Sequence, residues 1–327
     1  MTGPWPAPVE TVIPIEMSAW QFLRRFARAS ADADAVVLRG TSGLHQYYVE
    51  LLAALWLKLR AFWTRKPAPV TLMSDATWDV TSRRLEQRLP ALARILPRVA
   101  RIAVRSFDGP HMRYGVLSCE EKEAFPQRWG IDAHRVFFTP FCATMPVSKR
   151  ELVTDEGYVF AGGNSYRDYE LLVEAAAKVD VPVRIASSWR PSRPLPRNVL
   201  VHELSRADYD NEMLGASVVV VPIRVADRSA GQQTYLNSMM LGKVTIVTEA
   251  PGVRDHVEDG VTALVVPPDP DALAIAINRA MRGVKDGSLA DVAERGRKVV
   301  DGMFHTSHYY LRLWSAAGLR PCKPVEA

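Results

Sequence analysis

The sequence predicts an α/β protein built from two doubly wound parallel sheets, and three observations carry that prediction. The chain has 327 residues, about two domains on the usual size scale. Short apolar runs alternate with helical periods along its length, as in βαβ units. Val218-Val219-Val220-Val221 is a continuous run of valines, the pattern of a strand buried on both faces of a parallel sheet.

In the first half, 35–38 reads as a strand, 40–43 (Gly-Thr-Ser-Gly) as a turn, and 44–63 as a helix. Strands are expected next at 70–73, 101–104 and 114–117, then a helix at 120–129 and a strand at 135–138. The stretch 139–153, with Pro140 and Pro146, reads as a linker, which places the domains at 1–147 and 148–327. In the second half, strands are expected at 158–161, 181–186, 199–202, 218–222, 244–247 and 261–266. Helices are expected at 168–178, 208–216, 231–241 and 270–281, the last capped by Asp269. The proline-rich start 1–14 and the tail after Leu319 read as irregular. Two open sheets facing each other would leave a cleft at the carboxyl ends of their strands, where ligands bind by general rule.

Composition narrows the function. With 48% apolar and 24% charged residues the chain is an ordinary globular one. Cys119, Cys142 and Cys322 are too few and scattered for a disulfide framework or zinc site, and no metal or other cofactor is expected. No signal-peptide pattern opens the sequence, and no apolar stretch approaches the ~20 residues that span a bilayer. A cytoplasmic protein is expected, with the inner face of the membrane as a further place of action. The net charge of +5 fits a phosphorylated small molecule, anionic lipid or nucleic acid. Nucleic acid is disfavoured, because basic residues are spread along the chain without interleaved aromatics.

Two loops have the context of a phosphate site. Arg228-Ser229-Ala230-Gly231-Gln232-Gln233-Thr234 lies between a buried strand and a helix start, where free N–H groups attract anions. Gly162-Gly163-Asn164-Ser165-Tyr166-Arg167-Asp168 repeats the context, with Arg167 able to pair bidentately with a phosphate. A packing glycine and a solvated arginine are the plain alternatives.

Both loops, with the sequences after them, resemble the donor-binding half of the retaining glycosyltransferase family 4 (group 1). The resemblance runs over 158–320. It rests on the strand, glycine loop and helix at 160–175 and on the helix Gly231 to Lys243. It rests also on Gly252-Val253-Arg254-Asp255-His256-Val257-Glu258-Asp259-Gly260, with Leu264-Val265-Val266-Pro267-Pro268 and Asp271-Ala272-Leu273. It implies a GT-B fold of two Rossmann-like domains and a metal-independent transfer, with retention, from a UDP- or GDP-type nucleotide sugar. The acceptor would be a glycan, lipid or small molecule. Family members hold the diphosphate with a basic pair. Here Gly163 stands at the usual arginine position and Arg167 near the usual lysine. The family also carries two glutamates eight residues apart around the donor helix, and the corresponding positions here are Ser229 and Asn237. Asn237 would then meet a ribose hydroxyl, and Ser229 or its neighbouring amides a sugar hydroxyl. The glycine loop that usually opens the family's first domain is not found in 1–30.

On the acceptor side, His45 and Asp75 each come after an early strand and are the catalytic candidates; packing and helix capping are their plain alternatives. Asp108 and His111 occupy another turn. The helix 44–63 reads either as buried against a sheet or as an interfacial helix on anionic lipid, giving a peripheral membrane contact. Two other functions fit the fold. One is a non-catalytic relative acting as a binding or activating subunit, suggested by the missing carboxylates. The other is a nucleotide-sugar epimerase, which those same losses argue against.

Overall fold

Ser18 starts the first helix with a capping box: its hydroxyl accepts from the Gln21 N–H, and the Gln21 side chain accepts from the Ser18 N–H. In the computed structural model, residues 18–39, 44–76, 78, 88–226 and 228–319 are described, the side chains of 44–48 excepted. The expected irregular ends and the 40–43 turn lie outside the described residues. The chain divides into two units, one made of 1–139 with 310–327 and the other of 140–309.

The first unit contains α1 (Ala19–Ala29), β1 (Ala35–Leu38), α2 (Leu44–Thr64), β2 (Val70–Met73), α3 (Pro90–Phe107), β3 (Met112–Val116), α4 (Cys119–Trp129) and β4 (Val136–Phe138). Its four strands are parallel and lie in chain order, β1-β2-β3-β4, so each crossover steps the same way. One wall of the core is aromatic. Trp78 meets Trp129 edge-on at 5.2 Å and Tyr114 at 5.9 Å, with Phe125 tilted against it at 5.4 Å.

The stretch 101–104 is not a strand but the last turns of α3. Pro90 sits at the first helical position, where its missing N–H costs nothing. Of residues 101–104 only Val104 is buried, so no strand-like alternation exists. The helix α2 buries Val49, Ala53, Ala54 and Leu57, which fits the sheet-packing reading of 44–63.

The second unit starts with a 3-10 segment (Val147–Leu152). It continues with β5 (Val159–Gly162), α5 (Tyr169–Ala176), β6 (Val183–Ala186), β7 (Val199–His202), α6 (Arg206–Gly215), β8 (Val218–Val221), α7 (Gln232–Met240), β9 (Val244–Thr248), β10 (Leu264–Val266), α8 (Pro270–Asp286) and α9 (Ala290–Met303). A last helix, α10 (Thr306–Ala316), carries the chain from this unit into the residues grouped with the first. All six strands are parallel in the order β10-β9-β8-β5-β6-β7. The expected strand 261–266 keeps only its last residues; 261 and 262 turn, with Thr262 accepting at its hydroxyl from the Glu258 N–H.

The valine run behaves as its pattern demands. Val219 and Val221 pack into the layer that holds Tyr235, Leu236 and Met239 of α7. Val218 and Val220 pack into the opposite layer, with Leu172 of α5 and Ile277 of α8. Asp269 caps α8 by accepting from the Ala272 N–H at 2.8 Å. At the amino edge, the buried Lys243 ammonium donates to the carbonyls of Thr154 and Ala216, both at 2.5 Å. Burial lowers its pKa to about 8, against the pull of Asp155 and Glu156.

Candidate functional site

The strand order of the second unit determines where a ligand can sit. The chain enters at β5, winds out through β6 and β7, and returns on the other side of β5 as β8. Crossovers therefore leave β5 and β8 in opposite directions, and the loops beyond their carboxyl ends part around a crevice. Those loops are 163–168 and 222–231, which overlap the two stretches that the sequence singles out, 162–168 and 228–234. They are tied by an antiparallel bridge between Arg167 and Ile223 and by the Arg224 N–H bonding the Tyr166 carbonyl at 2.9 Å.

The glycines are there because no side chain fits. A Cβ on Gly162 would lie 2.4 Å from the Tyr209 ring. Gly163 has φ +105, and a Cβ there would lie 3.0 Å from Arg167 Nη2. Its carbonyl accepts from the Tyr169 hydroxyl at 2.5 Å. Asn164 holds the loop after β6: its side-chain carbonyl accepts from the Ser187 hydroxyl at 2.6 Å and the Ser188 N–H at 2.9 Å.

Arg167 is the central side chain. Its Nε donates to the Gly162 carbonyl at 3.1 Å, Nη1 to the Ser165 carbonyl at 2.7 Å, and Nη2 to Thr234 Oγ1 at 2.9 Å. Burial pushes its pKa down, and the groups that oppose this shift are tyrosines 169, 209 and 235. Among the described residues no carboxylate pairs with it. A guanidinium in this position keeps its full charge at neutral pH while its protein partners are neutral, so the site favours an incoming anion.

Thr234 belongs to the first turn of α7, which joins the two loops through Arg167. Gly231 precedes that helix with φ +83, packed so closely on Val221 and Ile223 that a Cβ would lie 3.0 Å from each. Among the described residues no side chain caps the helix start. Its amino end, with the buried Ala230 before it, adds partial positive charge on the same side as Arg167. Ser229 and Gln232 are buried and bonded to each other, the Gln232 amide donating to the Ser229 hydroxyl.

Further along α7, Asn237 is committed elsewhere. Its carbonyl accepts from the Thr144 N–H at 2.7 Å and the Met145 N–H at 3.0 Å, and its amide donates to Thr144 Oγ1 at 3.3 Å. Gln233 donates to the same hydroxyl at 2.7 Å. The ribose role expected of Asn237 thus competes with a structural one, because both lone-pair directions of its oxygen are used.

The sequence offered no sign of Tyr166. It adopts φ +53, unusual for an aromatic residue and a form of strain common at binding loops. Arg224 and Arg228 lie over its ring at 5.4 and 4.9 Å. Three arginines thus surround the crevice from two loops, but their convergence is visible only once β5 and β8 are known to be neighbours.

In the first unit, His45 lies in the first turn of α2 and Asp75 just after β2, so both are at the carboxyl edge of their sheet. The His45 side chain lies outside the described residues. Asp108 and His111 instead precede β3, at the opposite edge. Asp108 is spent internally: it accepts from the Tyr114 hydroxyl at 2.8 Å and pairs with both terminal nitrogens of Arg135. Among the described residues no three His, Cys, Asp or Glu side chains gather as a metal ion would require.

Residues 157–282 match the family model described as glycosyl transferases group 1. Solved structures extend the likeness over nearly the whole chain. A glycosyltransferase from Rickettsia africae matches with TM-score 0.61 at 13% identity, over 95% of this chain and 83% of that one. HepE of Anabaena, solved with UDP, matches with TM-score 0.63 at 16% identity, over 91% and 82%. A sucrose-phosphate synthase from Thermosynechococcus elongatus matches with TM-score 0.61 at 18% identity, over 93% and 79%. No curated protein sequence matches the chain. The fold is GT-B.

Proposed function

We propose that the protein moves a sugar from a UDP- or GDP-type nucleotide sugar to a lipid-linked, polysaccharide or secondary-metabolite acceptor, with retention at the anomeric carbon. The observation that carries this reading is Arg167, a partly buried guanidinium with neutral partners at the switch point of the sheet, hydrogen-bonded to the first turn of α7. As the bond from sugar to diphosphate breaks, negative charge gathers on the departing phosphate oxygens. Arg167 and the amino end of α7 supply positive charge to those oxygens in advance, which lowers the barrier without a metal ion. HepE has been solved with UDP-glucose, which makes UDP-glucose the first donor to try.

We place the acceptor at the carboxyl edge of the first sheet, where Asp75 and His45 would orient its hydroxyl. The cytoplasm is the proposed site of action, and nucleic acid is not a proposed partner. A second reading, a non-catalytic subunit, is favoured by one observation: the two positions that are acidic in the family are here a serine bonded to Gln232 and an asparagine engaged with 144–145.

Mass spectrometry of UDP-, GDP- and dTDP-sugars incubated with the protein separates the two. Slow release of free sugar from one donor, lost in a folded Arg167→Ala variant, is the expected result. Nucleotide binding without release from any donor would favour the non-catalytic reading. Full release by Arg167→Ala would refute the assignment of Arg167.

A further inference from the structure

The helix α3, Pro-Ala-Leu-Ala-Arg-Ile-Leu-Pro-Arg-Val-Ala-Arg-Ile-Ala-Val-Arg-Ser-Phe, has three faces rather than two. At 3.6 residues per turn, Ala93, Val104 and Phe107 fall together and are buried. Next round the helix comes a row of arginines: 94, 98, 101 and 105, within one narrow arc. The third face carries Leu92, Ile95, Val99 and Ile102, spaced three, four and three apart. These four are 43, 51, 54 and 68% exposed. A surface helix packed through one face would normally put polar residues there.

The charge is of one sign. The helix contains no Asp or Glu, so nothing on it offsets the arginines. Arg101 is braced along the surface by donating through Nε to the Arg128 carbonyl at 2.9 Å, and all four arginines are exposed. A row of guanidinia beside a strip of branched aliphatics, about 27 Å long at 1.5 Å per residue, matches a surface whose outer layer is anionic and whose inner layer is hydrocarbon. A second copy of the chain would bring a second arginine row rather than carboxylates.

We infer that α3 docks the protein on an anionic lipid bilayer, with Leu92, Ile95, Val99 and Ile102 entering the acyl boundary and the arginine row meeting lipid phosphates. This moves the lipid contact from α2, whose middle is buried, to α3. The inference is independent of the donor reading, since it uses no residue of the second unit.

Sedimentation with vesicles tests it. The wild type is expected to pellet with vesicles of equal parts phosphatidylglycerol and phosphatidylcholine, less so as salt is raised, and to stay in solution with phosphatidylcholine alone. Arg94→Gln with Arg98→Gln should weaken vesicle binding roughly thirtyfold, at about a fivefold loss per arginine near the surface. Val99→Glu with Ile102→Glu should abolish it. All four side chains are exposed, so melting temperature and any nucleotide-induced melting shift should not change in either variant. The inference is overturned if the wild type ignores anionic vesicles, or if the glutamate variant pellets like the wild type. It is equally overturned if the wild type is a dimer that the glutamate variant splits without any vesicle binding, which would assign the face to a second copy.

Discussion

The two units are built from the same βαβ step, yet they wind differently. In 140–309 the chain lays its first strand in the middle of the sheet and winds outward in both directions. In the first unit the four described strands run in chain order, and their crossovers never reverse. The difference shows in what each unit does with its charge. Around β3 of the first unit, Asp108, Arg135 and Tyr114 satisfy one another. At the switch point of the second, Arg167 meets carbonyls and a threonine hydroxyl, while Arg224 and Arg228 lie over Tyr166. Strand order, more than residue type, separates a cation that holds the fold from one available to a ligand.

The sharpest way to break the contrast is to remove the internal counter-charge of the first unit. Asp108→Ala strands the Arg135 guanidinium and the buried Tyr114 hydroxyl together. It should cost about 3–5 kcal/mol in urea unfolding, as for other ion pairs mostly hidden from water. A loss below about 1 kcal/mol would mean the network is solvated and the contrast overstated.

Next in size is the response to alkali. Lys243 has a folded pKa of about 8 against an ordinary 10.5, so between those values the unfolded chain holds the extra proton. Stability should therefore rise with pH from about 8 upward. Tyr158 and Tyr169, both raised to about 12 by burial, reverse the trend above pH 10, where the unfolded tyrosines ionise first. Lys243→Met should flatten the rise seen in denaturation midpoints across that window. A wild type with no rise between pH 8 and 10 would show that the ammonium is better solvated than its burial suggests.

The smallest effect belongs to His111. Burial, then Lys58, lowers its pKa below 6.5, so the folded unit keeps it neutral. Its contribution is present above pH 6.5 and is lost as pH falls through 6.5 toward the lower folded value. His111→Gln should remove that part of the acid slope. An unchanged slope would point to the carboxylates instead.

The same contrast explains what the sequence made legible. Strands such as 218–221 stand out because both faces are buried, which leaves an unbroken apolar run. The helix α3 is hidden for the opposite reason: its aliphatics point outward as well as inward, so 101–104 looks like a strand in isolation. At the site, Gly162 to Arg167 and Gly231 to Thr234 are readable because each joins a strand to a helix. The rest depends on contacts between distant segments. Asn237 is fastened to Thr144, 93 residues earlier, and nothing near either residue announces it. Tyr166 takes a left-handed backbone that its residue type does not favour.

The claim at the centre is that Arg167 serves a diphosphate. Calorimetric titration of UDP and UMP into the wild type and Arg167→Ala isolates it, because the two nucleotides differ by one phosphate. The wild type should bind UDP tens of times more tightly than UMP, as a charge-assisted bond of about 1.5–3 kcal/mol implies, and Arg167→Ala should bring the two close to equal. If UDP keeps its full advantage over UMP in the variant, the diphosphate is held elsewhere and this account of the site is wrong.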